Sequence, residues 1–140
     1  GAPKRTRARR RGAVPPPRDI IMQPELQVYV EDFGSRRGDA GLAAECDRKI
    51  VGVIWSRIMN DYGHIDDDTP SLAISLYKEY RNSGIGTALL REMKELLKKM
   101  GYRQVSLAVQ KENYAVRMYR KAGFETVSEN DEEFIMVCKL

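Results

Sequence analysis

Residues 72 to 90, LAISLYKEYRNSGIGTALL, constrain this chain more than any other stretch. An alternating apolar strand runs into Arg81 and the pair Gly84 and Gly86, then into an amphipathic helix. The first turn of a helix carries backbone N–H groups without intrahelical acceptors and the positive end of the dipole, and two absent side chains let a phosphate approach that backbone closely. The segment therefore reads as a pyrophosphate cradle. Two familiar phosphate motifs do not fit it. The dinucleotide fingerprint needs a third small residue where this chain has Leu89. The nucleotide P-loop needs a lysine after its last glycine, whereas Thr87, Ala88 and Leu89 follow Gly86. What remains is RxxGxG, written Arg81, Asn82, Ser83, Gly84, Ile85, Gly86. Taken alone, that pattern fits an ordinary tight turn before a helix equally well.

Downstream residues decide between the two readings. QVSLAV (104 to 109) alternates Val105, Leu107 and Val109 with Ser106 and Ala108, as a strand does, which completes a second βαβ unit. In NYAVRMYRKAGF, Asn113 is a good N-cap, Ala115, Met118, Tyr119 and Ala122 share one helical face, and Gly123 is placed to end the helix. The RxxGxG segment resembles the coenzyme A loop of the GNAT superfamily of N-acetyltransferases. Asn113, Ala115, Tyr119, Gly123 and Phe124 are similar to that superfamily's second coenzyme A motif, at the expected distance from the first.

The rest of the chain fits the same frame. Residues 24 to 34, with Leu26, Val30 and Phe33 at helical spacing between Pro24 and Gly34, predict a short helix. Residues 41 to 46 and 49 to 60 read as a hairpin turning through Asp47 and Arg48, and residues 71 to 81 as the central strand. Ile85, Leu89, Met93, Leu96, Leu97 and Met100 form a stripe on a helix that stops at Gly101, and FETVSE with FIMVCKL forms a last hairpin. Trp55 alternates with Val51 and Val53 and reads as core. The expectation is an α/β fold with a mixed, mainly antiparallel central sheet flanked by helices, in the order α-β-β-β-α-β-α-β-β. The resemblance implies a member shortened at its N-terminus, its first strand and first helix missing. The strand at 41 to 46 would then have an open edge, and FIMVCKL would be another pairing surface; both are routes to a homodimer.

Residues 1 to 22 read as a basic, proline-rich, disordered arm ahead of a domain spanning 23 to 140. The arm's first 18 residues hold seven Lys or Arg and no acid, which leaves 17 basic against 20 acidic side chains elsewhere, so the net charge of +4 is an arm effect. A solvated tail is the plain reading of such a run, and a localisation or nucleic-acid signal the sharper one. With no aromatic before Asp19, base stacking by the arm is not indicated. A composition of 42% hydrophobic residues over 140 positions suits a single core. No apolar run near 20 residues and no secretion-signal pattern occur, so a cytoplasmic protein is expected. Cys46 and Cys138 read as buried thiols. One histidine, His64, in a polar loop makes no metal set with them, and Asp66, Asp67 and Asp68 read as a solvated turn.

Acetyl transfer from a thioester to an amine needs a held acetyl-CoA, a neutral amine, a donor to the carbonyl oxygen and a proton for the departing thiolate. The resemblance implies that backbone amides of Asn82, Ser83, Gly84, Ile85, Gly86 and Thr87 hold the pyrophosphate of coenzyme A, with Arg81 adding charge. It also implies that the central strand splays from the next, so that backbone groups at Leu76 and Tyr77 take the pantetheine arm and the thioester oxygen. Tyr119 matches the superfamily's proton donor, and a phenol with pKa about 10 keeps its proton at neutral pH; packing on the buried stripe is its bland alternative. Asn113 either bonds the pantetheine amide, caps its helix, or does both. Glu79 is the nearest carboxylate for taking the amine's proton, and a solvated charge is its equal alternative. Three readings follow: an N-acetyltransferase for a small-molecule or peptide amine, a coenzyme A binding module without turnover, and, with least support, nucleic-acid interaction through the arm. None requires a membrane.

Overall fold

The computed structural model describes residues 27–30, 39–58 and 65–140. The expected arm at 1–22 and His64 lie outside them. A seven-stranded sheet runs in the order β1-β2-β3-β4-β5-β7-β6. Its strands are β1 (Gln27–Val30), β2 (Ala40–Cys46), β3 (Lys49–Arg57), β4 (Ser71–Leu76), β5 (Gln104–Gln110), β6 (Glu125–Glu129) and β7 (Glu133–Lys139). Helix α1 (Ile85–Lys99) joins β4 to β5, and α2 (Ala115–Lys121) joins β5 to β6. Every pairing is antiparallel except β4 with β5. The mixed, mainly antiparallel sheet flanked by helices is therefore what forms.

The start of the order differs from expectation. Residues 27–30, expected inside a helix at 24–34, form an edge strand whose Val28 and Val30 pair with Ala44 and Leu42. Three apolar positions at helical spacing are weak support for a helix of that length, which is marginal by itself. Val28, Tyr29 and Val30 favour extended backbone, and the free side of β2 offers them a ladder of hydrogen bonds. This also corrects the expected open edge: β2 is paired on both sides, by β1 and β3, and β7 lies between β5 and β6. Neither is a free pairing surface for a homodimer.

Elsewhere local chemistry and packing agree. Asp47 and Arg48 both take positive φ, 53° and 66°, the two-residue turn whose twist suits a tight hairpin. In α1, Ile85, Leu89, Met93 and Leu97 are completely buried, joined by Leu90, and the helix packs on β2, β3 and β5. Met100 leaves the expected stripe: it is the C-cap, past the last helical turn, and is 44% exposed. Trp55, expected in the core, is only half-buried. The expected strand at 71 to 81 stops at Leu76, and a 3₁₀ turn (Lys78–Tyr80) leads to the glycine segment. Cys46 and Cys138 are buried thiols that are not joined in a disulfide. Among the described residues no helix is long and apolar enough to cross a membrane.

Candidate functional site

The site begins where the sheet opens. β4 and β5 share one register position, Ser71 with Ser106, and the Ser106 N–H reaches the Pro70 carbonyl at 2.9 Å. That closed end is pinned further by the Ser71 and Ser106 hydroxyls, 3.3 Å apart, and by Gln104 Nε2 donating to Thr69 Oγ1 at 2.8 Å. Beyond it the two strands diverge without a ladder. Backbone groups alternate in direction along a strand, and the Tyr77 N–H donates to the Val51 carbonyl on the β3 side at 3.1 Å. The backbone groups of Ile74 and Leu76 therefore turn toward the gap. Of the two positions expected to offer free backbone there, Leu76 does; the Tyr77 donor is already used.

After the 3₁₀ turn the chain folds back into α1. The Ser83 hydroxyl donates to the Tyr80 carbonyl and closes that turn. Asn82 sits at φ 61° and Gly84, the N-cap, at φ 88°, a conformation that only glycine adopts without steric cost. The first helical bond is from the Ala88 N–H to the Gly84 carbonyl, so the N–H groups of residues 84–87 have no helical acceptor. No side chain caps them and no acidic residue stands in the first turn. An uncapped helix start beside a concave surface is a site for an anion.

That concave surface is a cavity of about 760 Å³. Its wall includes Leu76, Asn82, Gly84, Gly86, Thr87 and Asn113 from the sequence-based set. The others are not in that wall. Arg81 reaches it through Tyr114, a wall residue, its guanidinium 4.4 Å from the centre of that ring. Ser83 holds the turn, and Ile85 is buried in the core. Tyr77 is 59% exposed, and Glu79 is exposed on the 3₁₀ turn.

The opposite wall comes from α2. Asn113 Oδ1 accepts the Ala115 N–H at 2.8 Å, while its own carbonyl accepts the Val116 N–H at 3.2 Å. The amide oxygen thus organises the start of α2, and Asn113 also faces the cavity. Gly86 serves this junction too: a Cβ there would lie 2.6 Å from Met118 Sδ. Its missing side chain lets α2 approach α1, in addition to exposing backbone. At the far end Lys94 Nζ donates to the Ala122 carbonyl at 2.6 Å, which ties the C-terminus of α2 to α1.

Sequence reasoning missed Tyr114, Val116, Arg117, Met118, Arg120 and Lys121, all of which line the cavity. Their signal was the basic character of α2, with Arg117, Arg120 and Lys121 on its exposed positions. Tyr119 is 6% exposed and makes an edge-on contact with Phe124, the ring centres 5.8 Å apart. Burial, with a smaller contribution from Tyr114, pushes its phenol up to about 12. It is not itself a wall residue, although its sequence neighbours Met118 and Arg120 are. Among the described residues no three His, Cys, Asp or Glu side chains converge as a metal site would require.

Comparison with known proteins bears on the family and the fold. The model of the acetyltransferase (GNAT) family matches residues 9–124. An N-alpha-acetyltransferase of Sulfurisphaera tokodaii is 34% identical over 97 residues, covering 63% of this chain and 58% of that protein. Human N-acetyltransferase 8B is 23% identical over 113 residues, covering 80% of this chain and 50% of that protein. The chain thus spans about half the length of these relatives. Among solved structures, the PaiA N-acetyltransferase of Thermoplasma acidophilum in complex with coenzyme A superposes with a TM-score of 0.63 at 28% identity, covering 74% of this chain and 62% of that one.

Proposed function

The chain belongs to the GNAT acetyltransferase family, and we propose from this that it transfers an acetyl group from acetyl-CoA to a primary amine by direct attack in a ternary complex. The observation that carries the reading is the uncapped start of α1, with Gly84, Gly86 and Thr87 in the cavity wall beside the gap between β4 and β5. Free N–H groups of residues 84–87 and the cations of α2 suit a pyrophosphate. The Thermoplasma neighbour, crystallised with coenzyme A, supports the choice of ligand. The Sulfurisphaera relative, named for N-alpha acetylation, supports a peptide α-amino group as the acceptor. Such an amine has a pKa of about 7.7–8.0, against about 10.4 for a lysine side chain, so a useful fraction is neutral near pH 7 without a strong base.

In this reading the amine nitrogen attacks the thioester carbonyl carbon, and the Leu76 backbone N–H stabilises the oxygen as it gains charge. The carbon–sulfur bond breaks, and the sulfur leaves with the electron pair. Tyr119 supplies the proton that makes the thiol, and the proton lost by the amine goes to solvent or to Glu79, regenerating the phenol through water. A phenol raised to about 12 holds its proton at neutral pH and so is in the donor form, while the same burial makes it a weaker acid than an ordinary tyrosine. The products are an amide and coenzyme A.

Thermal unfolding with acetyl-CoA tests the first half. Ligand at 100 times its dissociation constant stabilises the fold by about 2.7 kcal/mol, and an unchanged midpoint with both acetyl-CoA and coenzyme A overturns the reading. Release of free thiol in the presence of peptides with free α-amines, lysine peptides and polyamines tests the second. Binding without release on any acceptor leaves a coenzyme A binding module.

A further inference from the structure

Arg81 and Tyr114 belong to the two different segments that face each other across the cavity, and both are exposed. An exposed arginine on a loop ordinarily samples many rotamers, and ordering it on a ligand costs free energy. Here its guanidinium rests over the Tyr114 ring at 4.4 Å. The backbone that carries the ring is fixed in turn. Its residue is the N-cap of α2, flanked by the hydrogen bonds that Asn113 makes to the Ala115 and Val116 N–H groups, and Asn113 itself donates to the Gln110 carbonyl at 2.9 Å. The backbone of Arg81 is held as well, by its N–H bond to the Lys78 carbonyl at 3.2 Å. A guanidinium engaged through its face keeps its in-plane N–H donors for an anion.

We infer that Tyr114 is a positioning residue for the anionic part of the cofactor: its ring, which lines the cavity, parks the guanidinium of Arg81, three residues ahead of the α1 N-cap, before ligand arrives. The pair is a strut from the second motif to the first, and its effect on affinity passes through Arg81. This rests on the acetyl-CoA reading above. It assigns to Tyr114 a role that depends on the ring face and not on the hydroxyl.

Two measurements on the full chain test it. In the ligand-free protein, NMR detects upfield ring-current shifts of the Arg81 side-chain protons, lost in Tyr114→Leu. Calorimetric titration with coenzyme A then closes a double-mutant cycle. Tyr114→Leu weakens binding about 2- to 5-fold, the range an exposed cation–π contact supplies. Tyr114→Phe, which keeps the ring, recovers the affinity. In an Arg81→Ala background, itself about tenfold weaker, Tyr114→Leu has no further effect. Equal losses from Tyr114→Leu with and without Arg81 overturn the strut while leaving the cofactor reading intact, as does Tyr114→Leu binding like wild type. A wild-type chain that binds no coenzyme A removes both.

Discussion

The two segments that meet at the cavity work with different parts of the polypeptide. Residues 81–87 contribute mainly backbone: three of the wall residues there are Asn82 at positive φ and the two glycines, and the useful groups are N–H donors at an uncapped helix start. Residues 113–121 contribute side chains: Arg117, Arg120 and Lys121 for charge, Met118 for the contact with Gly86, and Tyr119 as the proposed acid. The first segment is therefore sensitive to added bulk and to φ, and the second to lost function at single atoms. Geometry joins them, because Met118 of α2 packs into the space left at Gly86 of α1 and the other end of α2 is held by Lys94.

Substitutions can break this contrast. The largest effect is expected for Tyr119→Phe, which removes one oxygen: turnover falls about a hundredfold with little change in acetyl-CoA affinity. The same variant has a pH signature independent of activity. Burial raises the folded phenol to about 12, above the ordinary value of 10.0, so the folded state keeps its proton longer than the unfolded one. The stability this contributes is complete below pH 10 and is lost as pH rises from about 10 to about 12. Urea unfolding of the wild type declines more steeply over that interval than unfolding of Tyr119→Phe.

Next comes Gly86→Val, which adds bulk where even a Cβ would stand 2.6 Å from Met118 Sδ. It destabilises the fold by about 2 kcal/mol and weakens cofactor binding, and Gly86→Val with Met118→Ala recovers part of both. Arg117→Ala, on the side-chain wall, lowers acetyl-CoA affinity about tenfold with an unchanged unfolding midpoint. Binding that does not weaken, or that weakens equally at high and low salt, moves Arg117 out of the anion site. The smallest effect is expected for Ser83→Ala. Its hydroxyl serves the Tyr80 carbonyl and not the cavity, so stability falls by about 1 kcal/mol while affinity holds.

Much of the architecture was legible because it is written in short-range patterns. The alternation of Val105, Leu107 and Val109, the stripe on α1 and the glycine at 84 each specify one local geometry, and they reappear as β5, α1 and its N-cap. The strand at 27–30 differs from the expected helix because the stretch carries both patterns, helical spacing at Leu26, Val30 and Phe33 and extended alternation at Val28 and Val30, and the choice belongs to a neighbour, β2, that local spacing does not reveal. The basic wall of α2 was missed for a related reason. Arg117, Arg120 and Lys121 read as solvent-facing charges on a short helix, and only the packing of α2 on α1 gives them a cavity to face.

What the chain determined by itself is the identity of its family and the place of the uncapped, glycine-containing helix start. Two motifs at fixed separation depend on backbone conformation within a few residues, and that information is local. What only the tertiary structure decided is which groups remain available. The partner of the Tyr77 N–H, the depth of Tyr119, the contact between Arg81 and Tyr114 and the true purpose of Gly86 all depend on elements brought together from distant positions. Hydrogen bonds and burial consume donors, protons and space pairwise, and a pair is defined only once both partners have been placed.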